Sequence, residues 1–193
     1  MESWTINGRV LEYIDESHTY LVDGIIVPSV TQLLHRKFNK KYDGISAEVL
    51  NKAAERGTRI HKDIEEYCRL GKEPEYSETK DFIFVTKKNG LTVKENEIPI
   101  ILDLGGETFA GRLDLILEAE GELAVADIKT TATLDKEYLA YQLNLYRLGA
   151  MQSYGYDIKR LYGIHLKNGT RKAVPIPIKE AAWLEESLNI QEA

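Results

Sequence analysis

Two aspartates, Asp114 and Asp127, constrain this chain more than any other residues, because a short hairpin brings together carboxylates that a stable sheet would keep apart. The run Thr108 to Glu118 reads as one strand and Leu123 to Thr130 as the next, joined by Ala119-Glu120-Gly121-Glu122. A tight turn centred on Glu120 and Gly121 sets Asp114 opposite Asp127 and Arg112 opposite Lys129. Opposed residues share a face, and like charges there are destabilising. Two such pairs in succession need a compensating partner, and a divalent cation between the carboxylates is the simplest. The competing reading is an exposed hairpin whose polar face looks at water. The flanking Leu113, Leu115, Ile116, Val125, Ala126 and Ile128 count against it, since they suggest strands buried on both faces.

Hard cations such as Mg²⁺ or Mn²⁺ prefer carboxylate, carbonyl and water oxygens, so the two aspartates are suitable ligands. Lys129 follows Asp127 by two, which in a strand puts both on one face with Ile128 turned into the core. An ammonium held there can position a water or neutralise charge that develops during reaction.

Along the chain, short strands are expected at Arg9 to Tyr13, Tyr20 to Val22 and Ile25 to Val27, and a helix at Thr31 to Lys37 after Pro28. Ser46 caps a helix that runs to Leu70 and stops at Gly71. A further helix spans Ser77 to Lys88, strands span Leu91 to Leu102, Thr108 to Thr130, Arg160 to Leu166 and Lys172 to Pro177, and helices span Lys136 to Tyr154 and Lys179 to Asn189. The expected class is α/β, a mixed central sheet flanked by helices with an N-terminal β-rich extension. At 193 residues and 43% hydrophobic, the chain suits one domain: residues 1–45 as the extension, 46–178 as the core and 179–193 as a terminal helix.

Ala53, Gly57, Ile60, His61, Ile64, Tyr67 and Cys68 follow helical spacing, so His61 lies on a face that packs on the sheet. On spacing alone it is a core histidine or a metal ligand, with Glu65 one turn on as the fallback. Gln142 and Tyr146, four apart, share a helix side with Tyr138. Glu97 precedes the hairpin, but alternation around it is too irregular to assign its face.

A net charge of −6 argues against broad coating of a polyanion. Local cations exist: His35-Arg36-Lys37-Phe38-Asn39-Lys40-Lys41 interleaves charge with Phe38 and is followed by Tyr42, and Lys87, Lys88, Lys167, Arg171 and Lys172 add smaller patches. No apolar run approaches the roughly 20 residues that span a bilayer, and Met1-Glu2-Ser3-Trp4 opens no secretory signal. A cytoplasmic protein with no membrane partner is expected.

Four elements, in order over residues 20 to 150, resemble the PD-(D/E)XK nuclease superfamily and, within it, the RecB-like and phage exonuclease branch. Gly111-Arg112-Leu113-Asp114 is similar to its G-x-x-D strand, Asp127-Ile128-Lys129 to its D-x-K strand, Gln142 to Tyr146 to its Q-x-x-x-Y helix, and Arg56-Gly57-Thr58-Arg59-Ile60-His61 to its R-G-T-x-x-H helix. Pro28-Ser29-Val30-Thr31 resembles an N-terminal element of such phage proteins. Cys68 is the sole cysteine, so the chain departs from the iron–sulfur nucleases of this branch that act in CRISPR adaptation. The resemblance implies a restriction-endonuclease-like core that hydrolyses DNA with Mg²⁺ or Mn²⁺. Asp114, Asp127, the Ile128 carbonyl and His61 would hold metal, Lys129 would position the attacking water, and Gln142 and Tyr146 would attend the scissile phosphate. Ser29, Thr31, Arg36, Lys37 and Arg56 would contact DNA, double-stranded ends or single strands. The implied setting is a phage or prophage recombination exonuclease, working with a recombinase or single-strand-binding protein and able to form homo-oligomers. A structure-specific endonuclease, or a catalytically silent DNA-binding module of the same fold, are the alternatives.

Overall fold

The computed structural model describes residues 1–39, 44, 46–167 and 169–190, so Lys40, Lys41 and Tyr42 of the expected basic cluster lie outside the described residues. The N-terminal piece is an antiparallel sheet of β1 (Glu2–Ile6), β2 (Arg9–Ile14), β3 (Thr19–Val22) and β4 (Ile25–Val27), in that order. β1 adds to the expected strands; it pairs with β2 across the Asn7-Gly8 turn, whose residues both take positive φ. A 3-10 turn at Asp15–Ser17 links β2 to β3.

The central sheet has the order β5 (Leu91–Leu104), β6 (Glu107–Ala119), β7 (Glu122–Lys129), β8 (Ile158–Lys167) and β9 (Thr170–Pro175). All pairs are antiparallel except β7 with β8, which makes the sheet mixed. Helices α1 (Val30–Lys37), α4 (Lys136–Tyr154) and α5 (Ala181–Leu188) cover one face. Helices α2 (Ala47–Leu70) and α3 (Ser77–Lys88) cover the other. This is the expected α/β class.

Local chemistry explains the boundaries. The Ser46 side chain accepts from Val49 N–H to open α2, and Gly71, left-handed at φ 66°, closes it by donating to the Tyr67 carbonyl. Asp135 and Gly155 do the same for the crossover helix α4. Apolar Ile60 and Ile64 of α2, with Phe82 and Val85 of α3, bury against Leu115, Leu117, Ala126 and Ile128. On the opposite face Leu139, Leu143 and Leu145 of α4 meet Ile100, Leu102, Phe109 and Leu113. Gly149 allows α4 to lie close on β5: a Cβ built there would stand 2.2 Å from Ile100 Cδ1.

β6 divides its hydrogen bonding between two neighbours. It pairs with β7 from Ala119↔Glu122 to Leu115↔Ala126 through a turn in which Glu120 and Gly121 both take positive φ, as the tight-turn reading expects. Beyond Leu115 the ladder stops. β7 stays bonded to β8 as far as Lys129↔His165, while β6 turns to Pro28-Ser29, with the Ala110 N–H donating to the Pro28 carbonyl at 3.1 Å. The two strands of the hairpin therefore part at Asp114 and Asp127. The expected opposition of Asp114 to Asp127 and of Arg112 to Lys129 is not realised, because the β6–β7 ladder ends at Leu115↔Ala126.

Candidate active site

The parting of β6 and β7 explains how a carboxylate can sit inside a sheet. Where a strand partner would bond to Ile128, the Asp114 carboxylate accepts its N–H instead, at 2.7 Å. Side alternation also slips here. Phe109 and Leu113 face α4, yet Leu115 and Leu117 face α2 and α3, although a period of two would put all four on one side. On β5 the same level carries Glu97, a non-glycine residue inside a strand at φ 52°. The slip directs Glu97 and Asp114 to one place.

Helix α2 adds His61 from the other side. Its Nε2 lies 3.0 Å from the Ile128 carbonyl, to which it donates, and its Nδ1 faces Asp114 Oδ2, 3.6 Å away. The ligand atoms of His61, Glu97 and Asp114 all lie within 4.8 Å of one another, among the described residues a grouping with metal-binding dimensions. Glu97, which sequence could not orient, thus joins the site. Glu65, the fallback ligand, is drawn into an ion pair with Arg69 and stands outside this group.

Asp127 is 1% exposed and pairs with Lys129, whose Nζ lies 2.6 Å from Oδ2. Burial, offset by Lys129 and reinforced by the Asp114 charge, pushes the Asp127 carboxyl up to about 6. Burial and the Asp114 charge push Glu97 up to about 7, against the pull of His61 and Arg112. Burial alone would lower the Lys129 ammonium, but Asp127 and Asp114 outweigh it and raise it. Lys129 is therefore a fixed cation.

These features fit a divalent cation. The donor set combines carboxylate oxygens, one imidazole and the Ile128 carbonyl, suited to Mg²⁺ or Mn²⁺. Clustered carboxylates whose ionisation is held back, even with Lys129 beside them, describe a site short of positive charge.

Helix α4 forms the floor. Gln142 and Tyr146 are 7% and 5% exposed, and Gln142 hydrogen-bonds the Tyr146 hydroxyl while its own Oε1 is buried without a partner. Burial and the Asp127 and Asp114 charges hold the Tyr146 phenol well above its usual range. Gly111 lets that ring in: a Cβ built there would stand 3.0 Å from Tyr146 Cε1.

The expected DNA-contacting residues divide. Ser29 is the N-cap of α1 in a full capping box with Gln32, and it lines, with Thr31 and Tyr146, a cleft of about 320 Å³ next to the carboxylates. Arg36 and Lys37 do not line it; Arg36 pairs with Glu107 at 3.4 Å, and Lys37 donates to the Ser187 carbonyl and lies over the Tyr141 ring. Arg56 pairs with the buried Glu78 carboxylate and so ties α2 to α3.

A model of the PD-(D/E)XK nuclease superfamily matches residues 85–189. The match takes in Glu97, Asp114, Asp127, Lys129, Gln142 and Tyr146, and stops short of His61 and the N-terminal sheet. Among solved structures, SSO0001 aligns at 17% identity and a TM-score of 0.49, covering 84% of this chain and 75% of that one. A protein designated a candidate exonuclease, from Eubacterium rectale, aligns at 14% identity and a TM-score of 0.38, covering 83% and 63%. No curated protein matches the chain. Since the matched segment takes in more than half of the chain, the protein belongs to the PD-(D/E)XK nuclease superfamily, whose members use divalent metals.

Proposed function

We propose that the chain is an Mg²⁺- or Mn²⁺-dependent deoxyribonuclease of the RecB-like and phage exonuclease branch, which hydrolyses DNA from strand ends in phage or prophage recombination. The observation that carries this reading is the convergence of His61, Glu97 and Asp114 from three elements on the seam where β6 leaves β7, beside the Asp127–Lys129 pair. His61, Glu97 and Asp114 would hold the cation, with Asp127 and the Ile128 carbonyl adjoining. When bound, the cation supplies positive charge to the phosphoryl oxygens and acidifies water.

The chain's own residues do the rest. Lys129 stays protonated between Asp127 and Asp114, so it acts as a cation that orients water or a non-bridging phosphoryl oxygen, and not as a base. Gln142 has a free carbonyl oxygen able to accept from a water, and its amide holds Tyr146 in place. Burial of Asp127, Gln142 and Tyr146 keeps bulk water from competing. Attack by water on phosphorus in line with the 3′-oxygen would break the P–O3′ bond and leave a 5′-phosphate and a 3′-hydroxyl, the products that the family resemblance implies.

Burial of Asp127, Gln142 and Tyr146 at the back of the site supports action at ends, where a frayed strand reaches them more readily than an internal duplex phosphate does. The opposite reading, a structure-specific endonuclease, draws on the exposed first half of α2, where residues 51–55 stand clear of the core. Matched linear and covalently closed circular duplexes, incubated with the protein and Mg²⁺ or Mn²⁺ against chelated controls, decide between them. Shortening of the linear DNA alone is expected. Prompt cutting of the closed circle would overturn end dependence, and no metal-dependent hydrolysis of any DNA would overturn the nuclease assignment.

A further inference from the structure

Arg112 lines two clefts of different make-up. One, toward Glu97, mixes Glu2, Glu65 and Glu95 with Arg69 and Lys94. In the other, toward Tyr146, the described lining contains no carboxylate at all and presents Tyr13, His18, Tyr20, Thr31 and His35. In a chain of net charge −6, such a cleft next to a phosphodiesterase site is a feature of substrate binding. Most of its wall comes from the N-terminal sheet and α1 with its cap, before the segment that carries the family match, and Gly111, Arg112 and Tyr146 of that segment complete it.

The aromatic groups are arranged as a platform. The Tyr13 and Tyr20 rings lie 4.7 Å apart and are tilted by 36°. The Tyr13 hydroxyl is tied to His18 Nδ1 at 2.7 Å, which fixes the ring. Arg112 lies 5.5 Å over Tyr13 and 5.1 Å over Trp4, with one guanidinium nitrogen 2.7 Å from Glu2. Its flat cation thus caps the platform beside Tyr146. At about 320 Å³ the cleft sits at the lower end of the roughly 300–1,000 Å³ range of small-ligand sites. That is room for one nucleotide unit.

We infer that the cleft bounded by Tyr13, Tyr20, His18, His35 and Arg112 is a nucleotide subsite that stacks one unpaired base of the DNA strand whose adjacent phosphate lies at the carboxylate seam. The inference rests on the nuclease reading above and deepens it. Bases stack on aromatic faces whatever their identity, so the subsite selects for an unpaired nucleotide and not for a sequence. His18, His35 and Thr31 supply donors for the flanking phosphates. Substrate is then single-stranded or frayed at its end.

Short single strands with one abasic residue stepped through the positions nearest the terminus test this on the wild-type protein. Binding is read by fluorescence anisotropy in chelator, and cleavage in Mg²⁺. One abasic position beside the cleaved linkage is expected to weaken binding roughly 5- to 100-fold, the scale of one lost base–aromatic stack. Tyr13→Leu and Tyr20→Leu should bind intact strands at that weakened level and no longer distinguish the abasic ones. Equal binding and cutting of abasic and intact strands by a wild-type protein that does degrade DNA would overturn the subsite alone. Failure to hydrolyse any DNA would remove the reading it rests on. The abasic comparison needs no variant, so it still decides the matter if a leucine variant fails to fold.

Discussion

Replacing Glu97 with glutamine should stabilise the metal-free protein at alkaline pH, by an amount set by the carboxylates around it. Burial and the Asp114 charge raise its carboxyl from 4.5 to about 7. A shift of that size corresponds to about 2–4 kcal/mol of stability withheld once the group is ionised. The sign follows from the raised value: the folded state is favoured below pH 4.5, and that advantage is lost as pH rises through about 7. Glutamine has nearly the same volume, carries no charge, and leaves the left-handed backbone at residue 97 as it is. In chelator, Glu97→Gln should therefore unfold on the order of 5–10 °C above wild type at pH 8, with the gain shrinking toward zero near pH 4.5. Saturating Mn²⁺ should reverse the order, because the wild type binds the ion more tightly and gains stability by mass action. Calorimetric melting in both conditions is the measurement. A gain at pH 8 that is absent, or that persists unchanged at low pH, would refute the claim that opposed carboxylates strain this seam.

Other outcomes test separate parts of the site. Lys129→Met should lose more than about a hundredfold in DNA cleavage with its far-ultraviolet dichroism intact, since a fixed cation is removed; wild-type rates would remove Lys129 from the mechanism. His61→Ala should weaken Mn²⁺ binding more than Glu65→Ala does, by calorimetric titration, and equal, wild-type affinities would return His61 to the core. Gly111→Ala should cost about 1–3 kcal/mol in urea unfolding and slow cleavage, because the added Cβ meets the Tyr146 ring at 3.0 Å. Asp63, 5% exposed, accepts from the Glu75 and Tyr76 N–H groups and the Thr79 hydroxyl, so Asp63→Ala should cost about 2–3 kcal/mol in the same assay.

Much of the fold was legible because its signals are local. Ser46 and Gly71 bound α2 by capping chemistry, and Glu120-Gly121 set a register that holds to Leu115↔Ala126. What escaped depends on distant partners. Where the hairpin opens, Pro28-Ser29 bonds to β6 at Ala110 and the Asp114 carboxylate takes the Ile128 N–H, and Pro28-Ser29 lies far from Asp114 in sequence. Glu97 was hidden for a related reason: a left-handed residue in mid-strand breaks the alternation from which its face would be read. Arg36, Lys37 and Arg56 looked like phosphate contacts by residue type, yet Glu107, Ser187 and Glu78 engage them across long stretches of chain. The β1 strand, Glu2–Ile6, offers too short an alternation to separate from an unstructured terminus.

The exchange of partners along β6 also bears on how small a working fragment of this protein can be made. The segment that carries the family match begins at Val85, which invites trimming everything before it. Such a fragment would retain the carboxylates and the lysine but lose Pro28-Ser29, which pairs with β6 at Ala110, beyond the reach of β7. The Ala110 N–H would then lose its partner on an edge that β7 does not cover, and Ala110 and Ile101, buried under the N-terminal sheet in the intact chain, would be laid bare. An apolar strand edge of that kind templates pairing between molecules, so the trimmed protein should aggregate on expression, and a soluble core would need the N-terminal sheet or a charged substitute on that edge.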